Sequence, residues 1–159
     1  MAKIPEFEDF FDDLEIIAGY LNDTCVEYGY PTRKMHKEAG VPVAQVAAWM
    51  QEGIMSKDGG WHSPPRRFMT EAELLNEDTT KEMLYDLSNA ILTGKKLNVT
   101  RMLHKIGRAS ADDVREAILY GQYPPLKPST IQKKGHALPL VESNQLYEDA
   151  DYKLTKGEE

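Results

Sequence analysis

The side chains that most often bind metals or act as nucleophiles are few and scattered in this chain of 159 residues. No two of its four histidines have the His-x-x-x-His or His-Glu-x-x-His spacing that places two metal ligands on one helix face. These histidines are His36, His62, His104 and His136. The single cysteine, Cys25, excludes an internal disulfide and a thiolate metal cluster, and its place in a predicted strand favours a small buried side chain. The sequence therefore predicts neither a metal site nor covalent catalysis.

Two further patterns that would support an enzyme are incomplete. The segment Gly94-Lys95-Lys96 lacks the upstream glycine and the following Ser or Thr that a phosphate-binding loop requires. Acidic residues near the N-terminus lie on a predicted solvated helix face, where nothing would separate the pKa values of a general acid and a general base. We expect no enzymatic activity and no cofactor.

Charge is segregated along the chain, whose overall net charge is -7. Residues 1–24 carry seven acidic side chains and one basic, residues 94–135 carry nine basic and three acidic, and residues 141–159 are acidic again. Such runs are either solvated surfaces or complementary faces, with the acidic end of one copy meeting the basic segment of the next. The second interpretation suits a head-to-tail ring, and its acidic candidates are Asp9, Asp12 and Asp13.

The spacing of apolar residues predicts mostly helix with a small β component. The first element is a long amphipathic helix, from Phe7 to Leu21, with its acids on the opposite face. An alternating strand over 25–30 and a helix over 43–51 follow. We expect an exposed loop over 53–63, and then an extended entry set by Pro64-Pro65.

The second half predicts further helices. One runs from Thr79 or Thr80 to Leu92, and the next begins near Val99. From Gly121 onward the chain reads as extended and interrupted by prolines. The fold class is therefore α+β, with a small antiparallel sheet packed against several helices in a single domain over 1–148. Residues 149–159 read as a polar, flexible tail, in which Tyr152 and Leu154 could form an edge strand.

Residues 102–118 also fit a helix-turn-helix. In that interpretation Gly107 ends or bends the first helix and Ser110 caps the second. Asp112 and Asp113 would then lie in the first turn of the recognition helix, where their charge opposes DNA phosphates. A helix-turn-helix DNA-binding protein is one alternative function, and a plain pair of packed helices fits the same pattern.

Several stretches, in order over residues 26–154, carry a family resemblance. They are Val26-Glu-Tyr-Gly-Tyr-Pro31, Gly40-Val-Pro-Val-Ala-Gln-Val-Ala-Ala-Trp49, Gln51-Glu-Gly53, Pro64-Pro-Arg-Arg-Phe-Met69, Ala117-Ile-Leu-Tyr-Gly121, Pro124-Pro-Leu-Lys-Pro-Ser-Thr-Ile131, Lys133-Lys-Gly135 and Pro139-Leu-Val-Glu-Ser-Asn-Gln-Leu146. With these stretches the chain resembles the neck and tail-completion proteins of tailed bacteriophages, a group also described as minor tail or virion-morphogenesis proteins. Arg67 stands where that family usually has a second proline.

The resemblance implies a structural virion protein at the head-to-tail junction. Such a protein would form a ring, expected to be hexameric, that completes the tail and docks to the head connector. Its partners would be itself and other neck, connector and tail-tube proteins, with at most weak contact with passing DNA. A non-virion assembly chaperone is the other alternative.

Composition agrees with this expectation. No apolar run approaches the ~18 residues of a membrane span, and the N-terminus lacks the basic-then-apolar order of a signal peptide. We therefore expect a soluble protein without membrane contact. The resemblance further implies that it is made in the bacterial host cytoplasm and carried in the virion.

Candidate interface residues follow from the same stretches. Phe68 and Trp49 are expected to be core anchors. Arg66 and Arg67 follow a rigid diproline, so we expect them to be exposed and to pair with carboxylates of a neighbouring subunit. The remaining candidates are Met55 and Trp61 in the predicted loop, and Lys127, Lys133 and Lys134 around a segment that would meet an acidic partner.

Overall fold

The computed structural model describes residues 15, 18–19, 23–93, 98–141 and 144–156. The acidic candidates Asp9, Asp12 and Asp13 lie outside these residues. So does the predicted N-terminal helix, apart from three positions.

The described chain has an α+β fold, as the sequence predicts. Its elements, in order, are β1 (Thr24–Gly29), α1 (Val43–Glu52), β2 (Ile54–Met55), β3 (Trp61–Ser63), α2 (Phe68–Leu92), α3 (Val99–Tyr120), α4 (Pro128–Lys134), α5 (Gln145–Glu148) and β4 (Asp151–Lys156). The strands form two small antiparallel sheets, β1 with β4 and β2 with β3. The sheet of β1 and β4 packs on α3, and α3 packs on α2.

The C-terminal segment is a strand rather than a flexible tail. β4 pairs along its whole length with β1, in a register that runs from Thr24 opposite Lys156 to Gly29 opposite Asp151. The prediction of flexibility from residue 149 is therefore wrong through residue 156, and the alternative of an edge strand is confirmed. Leu154 explains the order, because its side chain packs with that of Val26 against the buried face of α3.

A single unbroken helix, α3, spans residues 102–118. The alternative interpretation of this segment as a helix-turn-helix is therefore wrong. Gly107 lies inside this helix and does not interrupt it. The ring of Tyr152 fills the space that a side chain at position 107 would occupy. Ser110 does not cap a helix. It is buried within α3, where its hydroxyl donates to the Ile106 carbonyl at 3.0 Å and accepts from the Asn76 side chain at 2.6 Å.

Helix α2 begins eleven residues earlier than the spacing from Thr79 predicts. Its first turns are held by burial, because Phe68 and Ala72 are fully buried in the core. One turn after Ala72, Asn76 is buried as well. Because Asn76 is polar, the pattern of apolar residues gives no sign that the helix continues through this position. Tertiary packing thus extends the helix beyond its apolar signal.

The main core joins α1, the start of α2, the end of α3 and the C-terminal segment. Its buried members include Val43, Val46, Ala47, Phe68, Ala72, Val114, Ala117, Ile118, Leu140, Leu146 and Ala150. The prediction that Phe68 is a core anchor is confirmed, whereas Trp49 is 39% exposed. Cys25 is also exposed, contrary to prediction, because the alternation of β1 puts it on the same outward face as Glu27.

Hydrogen bonds tie the loop after β1 to the C-terminal segment. The buried side chain of Gln145 donates to the Met35 carbonyl and accepts from the Lys37 N–H, both at 2.9 Å. The hydroxyl of Tyr30 donates to the Leu146 carbonyl at 2.7 Å. The segment after Gly121 is predicted to be extended, but it contains the short helices α4 and α5.

Within the described ranges, no helix is long and apolar enough to cross a lipid bilayer.

Candidate partner-binding site

A polar cavity of about 260 Å³ lies between the end of α1, the β2–β3 hairpin with the residues that follow it, and the segment that contains α4. It brings together three of the residues that the sequence singles out, Arg66, Lys127 and Lys134. The other lining residues are Met50, Ile54, His62, Ser63, Pro64, Pro125, Leu126, Thr130 and Pro139.

The hairpin that forms one wall is held close to the end of α1 by Gly53. This glycine has a φ of +79°, and a β-carbon placed on it would lie 2.7 Å from the Pro65 nitrogen and 2.9 Å from the Trp61 ring. Only glycine fits this backbone conformation without strain. The predicted loop over 53–63 is thus a hairpin, closed by a bond from the Ser56 N–H to the Gly60 carbonyl at 2.7 Å.

Arg66 lies in the floor of this cavity, and the prediction that it is exposed is wrong. Only 4% of the residue is accessible to solvent. Its backbone is fixed on both sides, because its N–H donates to the Met50 carbonyl and its carbonyl accepts from the Phe68 N–H, both at 2.8 Å. With Phe68 anchored in the core, the Arg66 side chain is directed inward rather than into solvent.

The guanidinium of Arg66 has few partners among the described residues. Nη1 donates to the Ser63 hydroxyl at 2.9 Å, whereas Nε is buried and makes no hydrogen bond. None of the described carboxylates forms an ion pair with it. Burial accordingly lowers the pKa of Arg66 below its usual value. A buried cation without a counter-charge is costly, so the isolated chain holds this side chain at an energetic disadvantage.

Helix α4 positions the two lysines of the cavity. Pro128 fixes the first turn, and the preceding Lys127 takes the extended conformation that a following proline imposes. Lys134 lies in the last turn, where positive charge is favourable. The pKa of Asp58 in the hairpin turn is lowered, first by its hydrogen bond with Ser56 and further by the charge of Lys127.

The other predicted interface residues are exposed but do not line the cavity. Arg67 and Lys133 face solvent. Met55 and Trp61 lie on the hairpin, 63% and 47% exposed, and so present apolar surface beside the cavity. Within the basic segment over 94–135, Arg115 is occupied with Asp112 and with the carbonyl of Ala150.

Sequence reasoning missed His62, Ser63 and Thr130 as lining residues. His62 has no second histidine at metal-ligand spacing, and a hydroxyl contact with a cation has no sequence signature. The available signal was local, since His62 and Ser63 directly precede the diproline and arginines already singled out. Among the described residues, no group of three or more His, Cys, Asp or Glu side chains is arranged to hold a metal ion.

Comparison of the chain with protein-family models, with curated proteins and with solved structures found no match. The site must therefore be interpreted from its own chemistry. Guanidinium, ammonium and hydroxyl groups around a small recess are the combination that recognises an anionic group.

Proposed function

We propose that this chain is a non-enzymatic structural subunit of a tailed-phage virion that acts at the junction between head and tail. In this proposal it is a neck or tail-completion protein that assembles into a ring, closes the tail and offers a docking surface to the head connector. The protein would then act through its shape and through repeated contacts between subunits, and not through chemistry on a substrate.

The observation that carries the proposal is the way the resembling stretches combine in the fold. Stretches that are far apart in sequence supply the buried residues Val43, Phe68, Leu140 and Leu146 of one core. Residues from the same stretches line the cavity around Arg66. The motifs thus form one connected unit, a scaffold with a contact site, as expected when the resemblance reflects a shared architecture.

Exposed apolar residues support a role in assembly. Besides Met55 and Trp61, the long helix α2 exposes Leu74, Tyr85 and Leu92 by 64%, 66% and 72%. Their spacings of eleven and seven residues are close to whole numbers of helical turns, so they fall on one stripe of the helix. An apolar stripe on a surface is suited to burial against another protein.

Deletion of the gene from the phage genome tests the proposal. We expect the lysate to contain filled heads and tails that do not join, as seen by negative-stain electron microscopy. A plasmid copy should restore joining, and the chain should then be detected by mass spectrometry in purified virions. Normal joining without the gene would overturn the proposal. If joining fails but the chain is absent from complemented virions, it is an assembly chaperone rather than a subunit.

A further inference from the structure

We infer that the cavity around Arg66 is a binding site for a carboxylate side chain, supplied by the acidic N-terminal segment of a second copy of this chain. That the donor is a second copy rests on the ring assembly proposed above. The carboxylate site itself rests only on the geometry of the cavity.

The need for an anion follows from the state of Arg66. Arg66 is only 4% exposed, and its Nε makes no hydrogen bond among the described residues. The hydroxyl of Ser63 is the one described partner of its side chain. Lys127 and Lys134 line the same cavity and add positive charge. A bound anion would satisfy the unpaired donor and neutralise the buried cation, which is how a desolvated charge becomes favourable at an interface.

The dimensions of the cavity favour a carboxylate over a nucleic acid. A recess of about 260 Å³ admits a single side-chain-sized group, and its remaining walls include Met50, Ile54 and Leu126. Nucleic acid is bound by positive charge that continues along the phosphate backbone. The planar guanidinium fork pairs with a carboxylate as well as with a phosphate, so it is the closed recess that favours one side-chain carboxylate over a continuous phosphodiester chain.

Charge complementarity identifies the donor. Residues 1–24 carry seven acidic side chains and one basic, and Asp9, Asp12 and Asp13 lie close together among them. When the acidic segment of each copy occupies the cavity of the next, the contact is heterologous, and such a contact forms a ring when the rotation between successive copies closes.

A binding assay tests the carboxylate site on the full-length chain. The protein used in the assay carries Asp9→Asn, Asp12→Asn and Asp13→Asn, so that its own acidic segment does not compete with the peptide for the cavity. A fluorescein-labelled peptide of residues 1–24 is titrated against this protein by fluorescence anisotropy. Arg66→Met and, separately, Lys134→Met should each weaken binding by about 10- to 100-fold.

Matched controls are adjacent in sequence. Arg67→Met and Lys133→Met remove the same charges from exposed neighbours that do not line the cavity, and they should change the affinity less than about threefold. Circular dichroism checks that each variant is folded. If Arg66→Met does not fold, the comparison of Lys134→Met with Lys133→Met tests the site. Equal effects of the cavity and control variants would overturn the inference. Displacement of the peptide by an oligonucleotide but not by free glutamate would also overturn it, in favour of nucleic-acid binding.

Mixing two blocked variants tests whether the donor is a second copy. The triple Asp→Asn variant keeps an intact cavity, and Arg66→Met keeps an intact acidic segment. Each alone should be monomeric by size-exclusion chromatography with light scattering, whereas an equal mixture should form 1:1 dimers that grow no further. A mixture that remains monomeric overturns the second-copy donor. These outcomes are independent of virion joining, so failure here is distinguishable from failure of the proposed function.

Discussion

Gly107 is the position at which the packing of β4 on α3 can be tested most sharply. A β-carbon added there would lie 2.2 Å from Cδ2 and 2.7 Å from Cγ of the Tyr152 ring. Carbon atoms in contact are normally about 3.5–4.0 Å apart, so Gly107→Ala must displace the ring by roughly 1 Å or more. The ring is held by strand pairing with Tyr28 and by a contact of 3.2 Å between its hydroxyl and His104 Nδ1.

Two opposing effects set the magnitude of this change. Replacing glycine by alanine inside a helix stabilises it by about 1 kcal/mol, whereas overpacking a well-filled site costs about 1–3 kcal/mol. Because the obstacle is the body of an aromatic ring rather than a flexible chain end, we expect the second effect to exceed the first. Gly107→Ala should lower the free energy of unfolding by up to about 2 kcal/mol, and the melting temperature by up to roughly 8 °C.

A double-mutant cycle in urea separates these effects. Removing the ring by Tyr152→Ala should reverse the sign, so that Gly107→Ala then stabilises the chain by about 1 kcal/mol. Gly60→Ala is the control for a glycine with open space around it, since its nearest atom lies 3.9 Å from an added β-carbon. If Gly107→Ala stabilises the unaltered chain, the assigned contact between Gly107 and Tyr152 is refuted.

Three other substitutions give distinct expected outcomes. Burial, and then neighbouring acids, raise the pKa of Asp113, one of whose oxygens is buried without a hydrogen bond among the described residues. The ionised carboxylate is therefore penalised above its folded-state pKa and carries no penalty below its unfolded value. Asp113→Asn should stabilise the chain by up to about 1 kcal/mol at pH 7, and a gain that persists at pH 3 would contradict this cause. Asn76→Ala removes the buried bond to Ser110 and should cost about 1–3 kcal/mol in urea denaturation, whereas the exposed Ser88→Ala should change stability by less than about 0.5 kcal/mol. Arg66→Met should leave the unfolding free energy of the isolated chain within about 1 kcal/mol, because the lost bond to Ser63 is offset by removal of a buried charge; a loss above about 3 kcal/mol would mean that the arginine serves the fold.

Elements whose burial follows a simple period were predictable from the sequence. The strand around Cys25 and the helix that follows Pro42 have boundaries within one residue of those predicted. Their alternation and helical spacing directly reflect which side faces the core. The α+β class followed from the same patterns.

The predictions failed where the cause is a contact between distant residues. Gly107 and Ser110 read as a helix boundary, yet both are interior residues of α3, matched to Tyr152 and Asn76 across the interface. Helix α4 has no buried residue, and therefore no apolar period to detect.

The candidate site was predicted only in part, because it also depends on contacts between distant residues. Arg66, Lys127 and Lys134 were singled out by charge and motif, but their meeting in one cavity depends on the folding of the hairpin against α4. The backbone of Arg66 is held by the bond from its N–H to the Met50 carbonyl, a contact between distant residues that no local pattern expresses.

Cryo-electron microscopy of the virion is the most direct measurement of the central claim. We expect a ring of this chain at the head–tail junction, with density for an acidic side chain of each subunit against Arg66 of its neighbour. A junction map with no density that fits the chain would show that it is not a subunit of the junction.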